Sequence, residues 1–191
     1  MLGFRDIFVA IYNLMLVNCL VLRVLTEDAK RYGGRNILRV YVRDPRFRAV
    51  TLLRIGCSLN CKQFIFKRAL LRILKNRLAL KYGVDTDFTV TIGPGLRIVH
   101  LGGIVIHRGS KIGNHLTILN NVTLGQGQRC EANVPSVGSN VYIGVGAVIL
   151  GKVSIGDDCV VGAQSFVNSS FDAGDIIAGT PARVLRNKYR A

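Results

Sequence analysis

From Ile92 onward, aliphatic residues return at six-residue intervals: Ile92, Ile98 and Ile104, then Ile112, Ile118 and Leu124, then Val137, Ile143, Ile149, Ile155, Val161 and Val167. A small residue often follows, as at Gly93, Gly113, Gly125, Gly138, Gly144, Gly156 and Gly162. Four positions after the aliphatic one stands a second modest side chain, such as Val122, Val141, Ala147, Val153, Cys159 or Ser165. A helix repeats every 3.6 residues and a strand every 2, so neither produces this beat. It fits a coil in which six residues make one short flat face and one corner, with the aliphatic side chain inward and Gly or Asn easing the turn. Three faces close a triangular coil, and stacked coils share one continuous core.

The pattern predicts a mainly β chain over residues 83–191, a left-handed parallel β-helix of the hexapeptide-repeat kind, behind an α-helical region over residues 1–82. Two breaks interrupt the beat. Ile104 to Ile112 is eight residues, which predicts a two-residue bulge near His107–Gly109. Leu124 to Val137 is thirteen, and "GQGQRCEANVPS" drops the apolar pattern, which predicts a loop at 126–136. Loops on a rigid scaffold tend to carry specificity. "DIIAGTPARVL" (Asp175–Leu185) reads as the end of the coil.

The first 82 residues differ in pattern and charge. The apolar run Ile7–Leu22 is sixteen residues, broken by Asn13 and Asn18. It falls short of the roughly 18–20 residues that span a bilayer, so a buried or interfacial helix is expected. Lys62–Lys81 alternates apolar and basic residues at helical spacing, with Phe66, Leu70, Ile73/Leu74 and Leu78 along one side. Such a helix either packs on the rest of the protein or lies on an anionic membrane surface. Of the net charge of +15, residues 1–82 contribute +13, from 17 Lys/Arg against 4 Asp/Glu. An anionic partner fits: acidic lipid, nucleic acid or a phosphorylated substrate. The basic helices lack an aromatic stacking series, which argues against nucleic acid. The five cysteines are odd in number and scattered, and no cleavable signal peptide is evident, so reduced thiols in the cytoplasm are expected. Cys57 and Cys61 have no second Cys/His pair, so no zinc site is read there.

Candidate chemistry gathers in "IVHLGGIVIH" (Ile98–His107), where two of three histidines stand in an apolar run. A buried imidazole is costly unless paired, so His100 is either a satisfied core residue or stands at the wall of a site. The stretches "VDTDFTVTIGPGLRIVHLGGIVIHRGSKIG", "ILNNVTLG", "VGSNVYIGVGAVILGKVSIGDDCVVGAQSFV" and "AGTPARVL" resemble the catalytic domain of the serine acetyltransferase branch of hexapeptide-repeat acyltransferases. Within it, the "GIVI" segment after the histidine is similar to O-acetyltransferases of capsular and exopolysaccharide clusters. The resemblance implies an acetyl-CoA-dependent O-acetyltransferase with His100 as general base and Asp85 as its orienting carboxylate. A neutral imidazole suits proton abstraction near pH 7, and its second nitrogen needs an acceptor. It further implies a homotrimer, with pairing into a dimer of trimers left open, and a pantetheine groove between subunits. Gly125, Gly144, Val145, Gly162 and Ala163 would line that groove, with a backbone N–H near Gly125 for the thioester oxygen. A family lysine near the cofactor falls on Val160, which leaves Arg183 and Lys152 as candidates for the phosphates.

Two departures bear on the acceptor. The family's Asp before the histidine is Val99 here, and its Arg-His pair before the loop proline is Asn133-Val134 before Pro135. Those family residues hold the charges of serine, which Val99 and Val134 cannot pair. A sugar hydroxyl is therefore expected as acceptor, on a surface polysaccharide or its sugar-nucleotide or lipid-linked precursor. The basic helices would then dock at the cytoplasmic membrane face. A serine acetyltransferase of cysteine biosynthesis and a non-catalytic trimeric scaffold are the alternatives. A metal enzyme is disfavoured, because the gaps among His100, His107 and His115 scatter them around a coil.

Overall fold

The computed structural model describes residues 20–61, 66–127 and 133–189. Most of the apolar run Ile7–Leu22, together with Cys19, Cys130 and the centre of the predicted loop, lies outside them. Among the described residues, four helices precede the coil: α1 over 20–30, α2 Ile37–Arg43, α3 Pro45–Asn60 and α4 Lys67–Tyr82. Asn36 and Asp44 supply the side-chain N-caps of α2 and α3, and Pro45 opens α3 where a missing N–H costs nothing. Gly83 ends α4 in the left-handed conformation, φ 63°.

Beyond Gly83 the chain winds through three parallel sheets. The first face holds β1 (Val84–Thr86), β4 (Ile104–Ile106), β7 (Thr123–Gly125), β10 (Val148–Leu150) and β13 (Phe166–Val167). The second holds β2 (Thr91–Ile92), β5 (Lys111–Ile112), β8 (Ser136–Val137) and β11 (Ser154–Ile155). The third holds β3 (Arg97–Ile98), β6 (Thr117–Ile118), β9 (Tyr142–Ile143), β12 (Val160–Val161) and β14 (Asp175–Gly179), closed by the antiparallel β15 (Ala182–Asn187). This is a three-sided parallel β-helix. The residues on the six-beat and those four positions later, including Val122, Val141, Ala147, Val153 and Cys159, are buried in one core. Between them the corner turns through φ near +57° at His115, Asn121, Asn140, Asp158 and Gln164. Asparagine tolerates that conformation at least cost among non-glycine residues.

The position of the bulge differs from expectation. Ile106, not Ile104, aligns with Leu124 on the first face, and Ile98 aligns with Ile118 on the third. The eight-residue step therefore runs from Ile98 to Ile106, and the two extra residues sit at the His100 corner rather than at His107–Gly109. Ile104 and Ile106 both point inward across a three-residue strand, which hides the slip from a count of apolar residues.

The helices close the open end of the prism. A coil's first turn leaves strand-edge amides and carbonyls without a neighbour, and each must find a partner. Asp28 accepts from the N–H groups of Gly95 and Leu96, each at 2.8 Å. Arg54 donates to the carbonyls of Ile92 (2.6 Å) and Gly93 (2.7 Å), and pairs with Asp28 at 2.8 and 3.1 Å. The Tyr32 hydroxyl accepts from Ile98 N–H at 2.7 Å, and Arg46 donates to the Val99 carbonyl at 3.1 Å. Ala49, Val50, Leu53, Leu78 and Tyr82 extend the coil's core into the helices.

On α4 the apolar residues separate into two stripes. Leu71, Leu74, Leu78 and Tyr82 face the core, whereas Phe66, Leu70, Ile73 and Leu80 are exposed, Leu80 at 88%. The single side expected from Phe66 to Leu78 is thus corrected: Leu74 and Leu78 belong to the buried stripe.

Candidate functional site

His100 stands at the corner between β3 and β4, exposed rather than sealed in the prism. The two extra residues there are Gly-rich for a reason. Gly102 and Gly103 have φ of 109° and 65°, and a Cβ at Gly103 would lie 2.2 Å from Asn121 Oδ1. The corner leans on the end of α4, where a Cβ at Gly83 would lie 2.6 Å from Gly102 Cα. Gly83 also accepts a backbone hydrogen bond from Ile104 N–H at 2.9 Å. Asp85, two residues beyond Gly83, points outward from the middle of β1 beside Val105. The carboxylate thus stands mid-strand on the first face, and the imidazole stands at the corner that leads onto the next strand of that face. Both are exposed, and among the described residues no hydrogen bond joins them.

The same corner recurs in every turn above. Asn121 N–H bonds to Gly102 O (2.9 Å), Gly146 N–H to Asn120 O (3.1 Å) and Gln164 N–H to Val145 O (2.8 Å). A column thus runs from His100 through Asn120, Gly144-Val145 and Gly162-Ala163. Gly144 must be glycine for stacking alone, because a Cβ there would lie 2.7 Å from Ala163 N. The side chains on this column are small and uncharged, so an extended thioester arm could approach the main chain, with Asn, Val and Ala as its outermost neighbours. Arg183 pairs in register with Ala178, which caps the column above Gly162. It is exposed, in place for an anion at the column's far end.

Other candidates lie elsewhere. Gly125 ends β7 at the opposite edge of the first face, in register with Leu150. Val134 lies at that edge too: a Cβ at Gly109, beyond the end of β4, would be 3.3 Å from its Cγ2. Lys152 lines a cavity there with Lys111 and Ser136. A single chain therefore separates Gly125, Val134 and Lys152 from His100 by the width of a sheet. The loop leaves and returns at one hydrogen bond, Gly127 N–H to Asn133 O at 2.8 Å. The three histidines occupy three different corners. His107 Nδ1 accepts from Gly109 N–H at 3.1 Å, and His115 takes a left-handed turn position. Burial pushes the Cys57 thiol up to about 11 and raises that of Cys159 as well, which makes both poor nucleophiles near neutrality.

Sequence reasoning missed the groups that hold this corner from behind, Arg46 on Val99 and Tyr32 on Ile98. No local motif announces them, since each acts across more than fifty residues of chain.

Known proteins agree with this architecture. The family described as "Bacterial transferase hexapeptide (six repeats)" matches residues 135–169. The chain is 32% identical over 164 residues to a serine acetyltransferase of Helicobacter pylori, spanning 85% of this chain and 92% of that one. Among solved structures, a serine acetyltransferase of Neisseria gonorrhoeae superposes with a TM-score of 0.77 at 26% identity, covering 98% of this chain and 73% of that chain. The soybean serine acetyltransferase apoenzyme gives 0.76 at 30% identity, over 85% of this chain and 68% of that one. The likeness takes in the N-terminal helices as well as the coil. The chain belongs to the serine acetyltransferase family of hexapeptide-repeat enzymes and is an acyltransferase that uses acetyl-CoA.

Proposed function

We propose that this chain is a serine O-acetyltransferase, moving the acetyl group of acetyl-CoA to the hydroxyl of L-serine in the supply of cysteine. The observation that carries this reading is the 32% identity to the Helicobacter pylori enzyme over 92% of that protein's length. His100 takes the hydroxyl proton as the alcohol oxygen attacks the thioester carbonyl, and Asp85 fixes the ring and steadies the imidazolium. A backbone N–H near Gly125 meets the developing oxyanion. The C–S bond then breaks, and the imidazolium returns its proton to the thiolate. The chain works as a trimer, because a neighbouring copy can bring the Gly125–Val134 edge of one first face against the His100 edge of another.

A second reading, a sugar hydroxyl of a surface polysaccharide or its precursor, is favoured by Val99 and Val134. By resemblance, both fall at positions where the family carries charged residues that hold serine. Under it, the enzyme works in the cytoplasm at the inner membrane face. One assay separates the two: purified protein, acetyl-CoA and either L-serine or a free sugar, with release of CoA thiol followed. Thiol release with millimolar serine that falls about 100-fold or more in His100→Ala supports the first. Activity with sugars alone supports the second, and mass spectrometry of the host glycan with and without the protein then identifies the acceptor. Equal rates in wild type and His100→Ala would remove both.

A further inference from the structure

On the far side of the His100 corner from the column, the segment 32–46 encloses a cavity of about 420 Å³. Four arginines line it, Arg35, Arg39, Arg43 and Arg46, and one acidic residue, Asp44. That carboxylate is already committed. Asp44 accepts from Arg46 Nε at 2.9 Å and Nη2 at 2.6 Å, and Arg46 in turn lies over the Tyr32 ring, 5.8 Å from its centroid. Among the described residues, no carboxylate pairs with Arg35, Arg39 or Arg43. Arg39 and Arg43, four residues apart, lie along one side of α2, where like charges repel, and Arg35 stands just before the helix's N-cap. A cavity that gathers this much uncompensated positive charge is built for a multiply charged anion. Planar guanidinium forks match phosphate oxygens two at a time.

The floor of the cavity is fixed to the catalytic corner. Arg46 holds the carbonyl of Val99, and Tyr32 holds the main chain of Ile98, the two residues before His100. The column that suits the donor runs the other way, through the later turns, so the donor's own phosphates do not reach this cavity. We propose that it is a phosphate subsite, taking the phosphate or diphosphate ester of a ligand whose remainder lies beside His100. This rests on the second reading above, a sugar-nucleotide or lipid-linked acceptor, since serine carries no phosphate.

The site can be tested by binding alone, whatever the acceptor proves to be. Inorganic pyrophosphate is titrated calorimetrically into the full chain at about 0.15 M salt, where diffuse surface attraction is largely screened. Wild type should bind, Arg39→Gln/Arg43→Gln should bind at least tenfold more weakly, and Arg39→Lys/Arg43→Lys should fall between them. Coenzyme A titrated into the same variants should bind as it does to wild type. Equal pyrophosphate affinity in wild type and the Gln variant, or no binding by wild type, overturns the proposal. So does a parallel loss of coenzyme A affinity, which would assign the cavity to the donor. A chain inactive on every acceptor that still binds pyrophosphate through these arginines removes the acetyl-transfer reading and leaves the subsite standing.

Discussion

Asp28 and Arg54 show how much a few side chains carry when they replace a missing strand. Asp28 is wholly buried and Arg54 is 8% exposed; together they satisfy two amides and two carbonyls at the open end of the coil. Asp28→Ala leaves the guanidinium buried without its counter-charge, and should cost about 3–5 kcal/mol in urea unfolding. Asp44 predicts a different dependence. Its hydrogen bonds with Arg46 hold its carboxyl below the usual value of 3.8. Because the folded value is depressed, its contribution is complete above that usual value and is lost as pH falls through the lowered one. Asp44→Asn, which keeps an N-cap acceptor for α3, should flatten the wild type's stability loss below about pH 4. Unchanged acid slopes in urea titrations would contradict this. Asp28 was not legible as special in a basic stretch, because its partners Arg54, Gly95 and Leu96 are brought to it by packing. Asp44 has its partner Arg46 two residues on and precedes a proline at a helix start, a local cap pattern that the hydrophobic periodicity does not report.

At the scale of the element, α4 shows what periodicity conveys and what it omits. Helical spacing placed an amphipathic basic helix over Lys62–Lys81, and the described helix runs Lys67–Tyr82 with Phe66 as its N-cap; two apolar stripes about a third of a turn apart read as one side. Only the packed helix shows that Leu71, Leu74, Leu78 and Tyr82 serve the core while Phe66, Leu70, Ile73 and Leu80 remain outside. The outer stripe is flanked by Arg72, Arg77 and Lys81, the arrangement of a helix that rests on an anionic bilayer. We therefore expect the protein to sediment with vesicles containing acidic lipid at low salt. Ile73→Glu/Leu80→Glu should abolish sedimentation without altering the unfolding midpoint. Equal sedimentation of the variant would assign the attraction to charge elsewhere. The strands behaved oppositely: their inward positions were legible one by one, because a three-sided coil admits only two inward positions in six.

For the whole molecule, the repeat specified the prism and left its register at one corner ambiguous. Counting apolar residues put the slip after Ile104, since two isoleucines two apart satisfy the same side of a strand. The paired registers of the first and third faces put it before, at His100. The helices were legible as a basic region but not as a stopper for the prism, a role that depends on contacts spanning most of the chain. The candidate site residues likewise fell on two edges of one face, His100 with Gly144, Val145, Gly162 and Ala163 on one and Gly125, Val134 and Lys152 on the other, a distance invisible in a linear motif.

The slip has a consequence for how such enzymes change. Where turns stack without such an outward loop, an insertion would shift the interior of all later turns. At position 100 the extra length is looped outward and the interior resumes in step at Ile106. Trimming Gly102 and Gly103 should thus yield a prism that still melts cooperatively yet turns over nothing, its imidazole drawn back to the wall. If His100 is the base proposed above, scaffold and reactivity are separable here, and the neighbourhood of that imidazole is free to be rewritten for new alcohols while the architecture stays put.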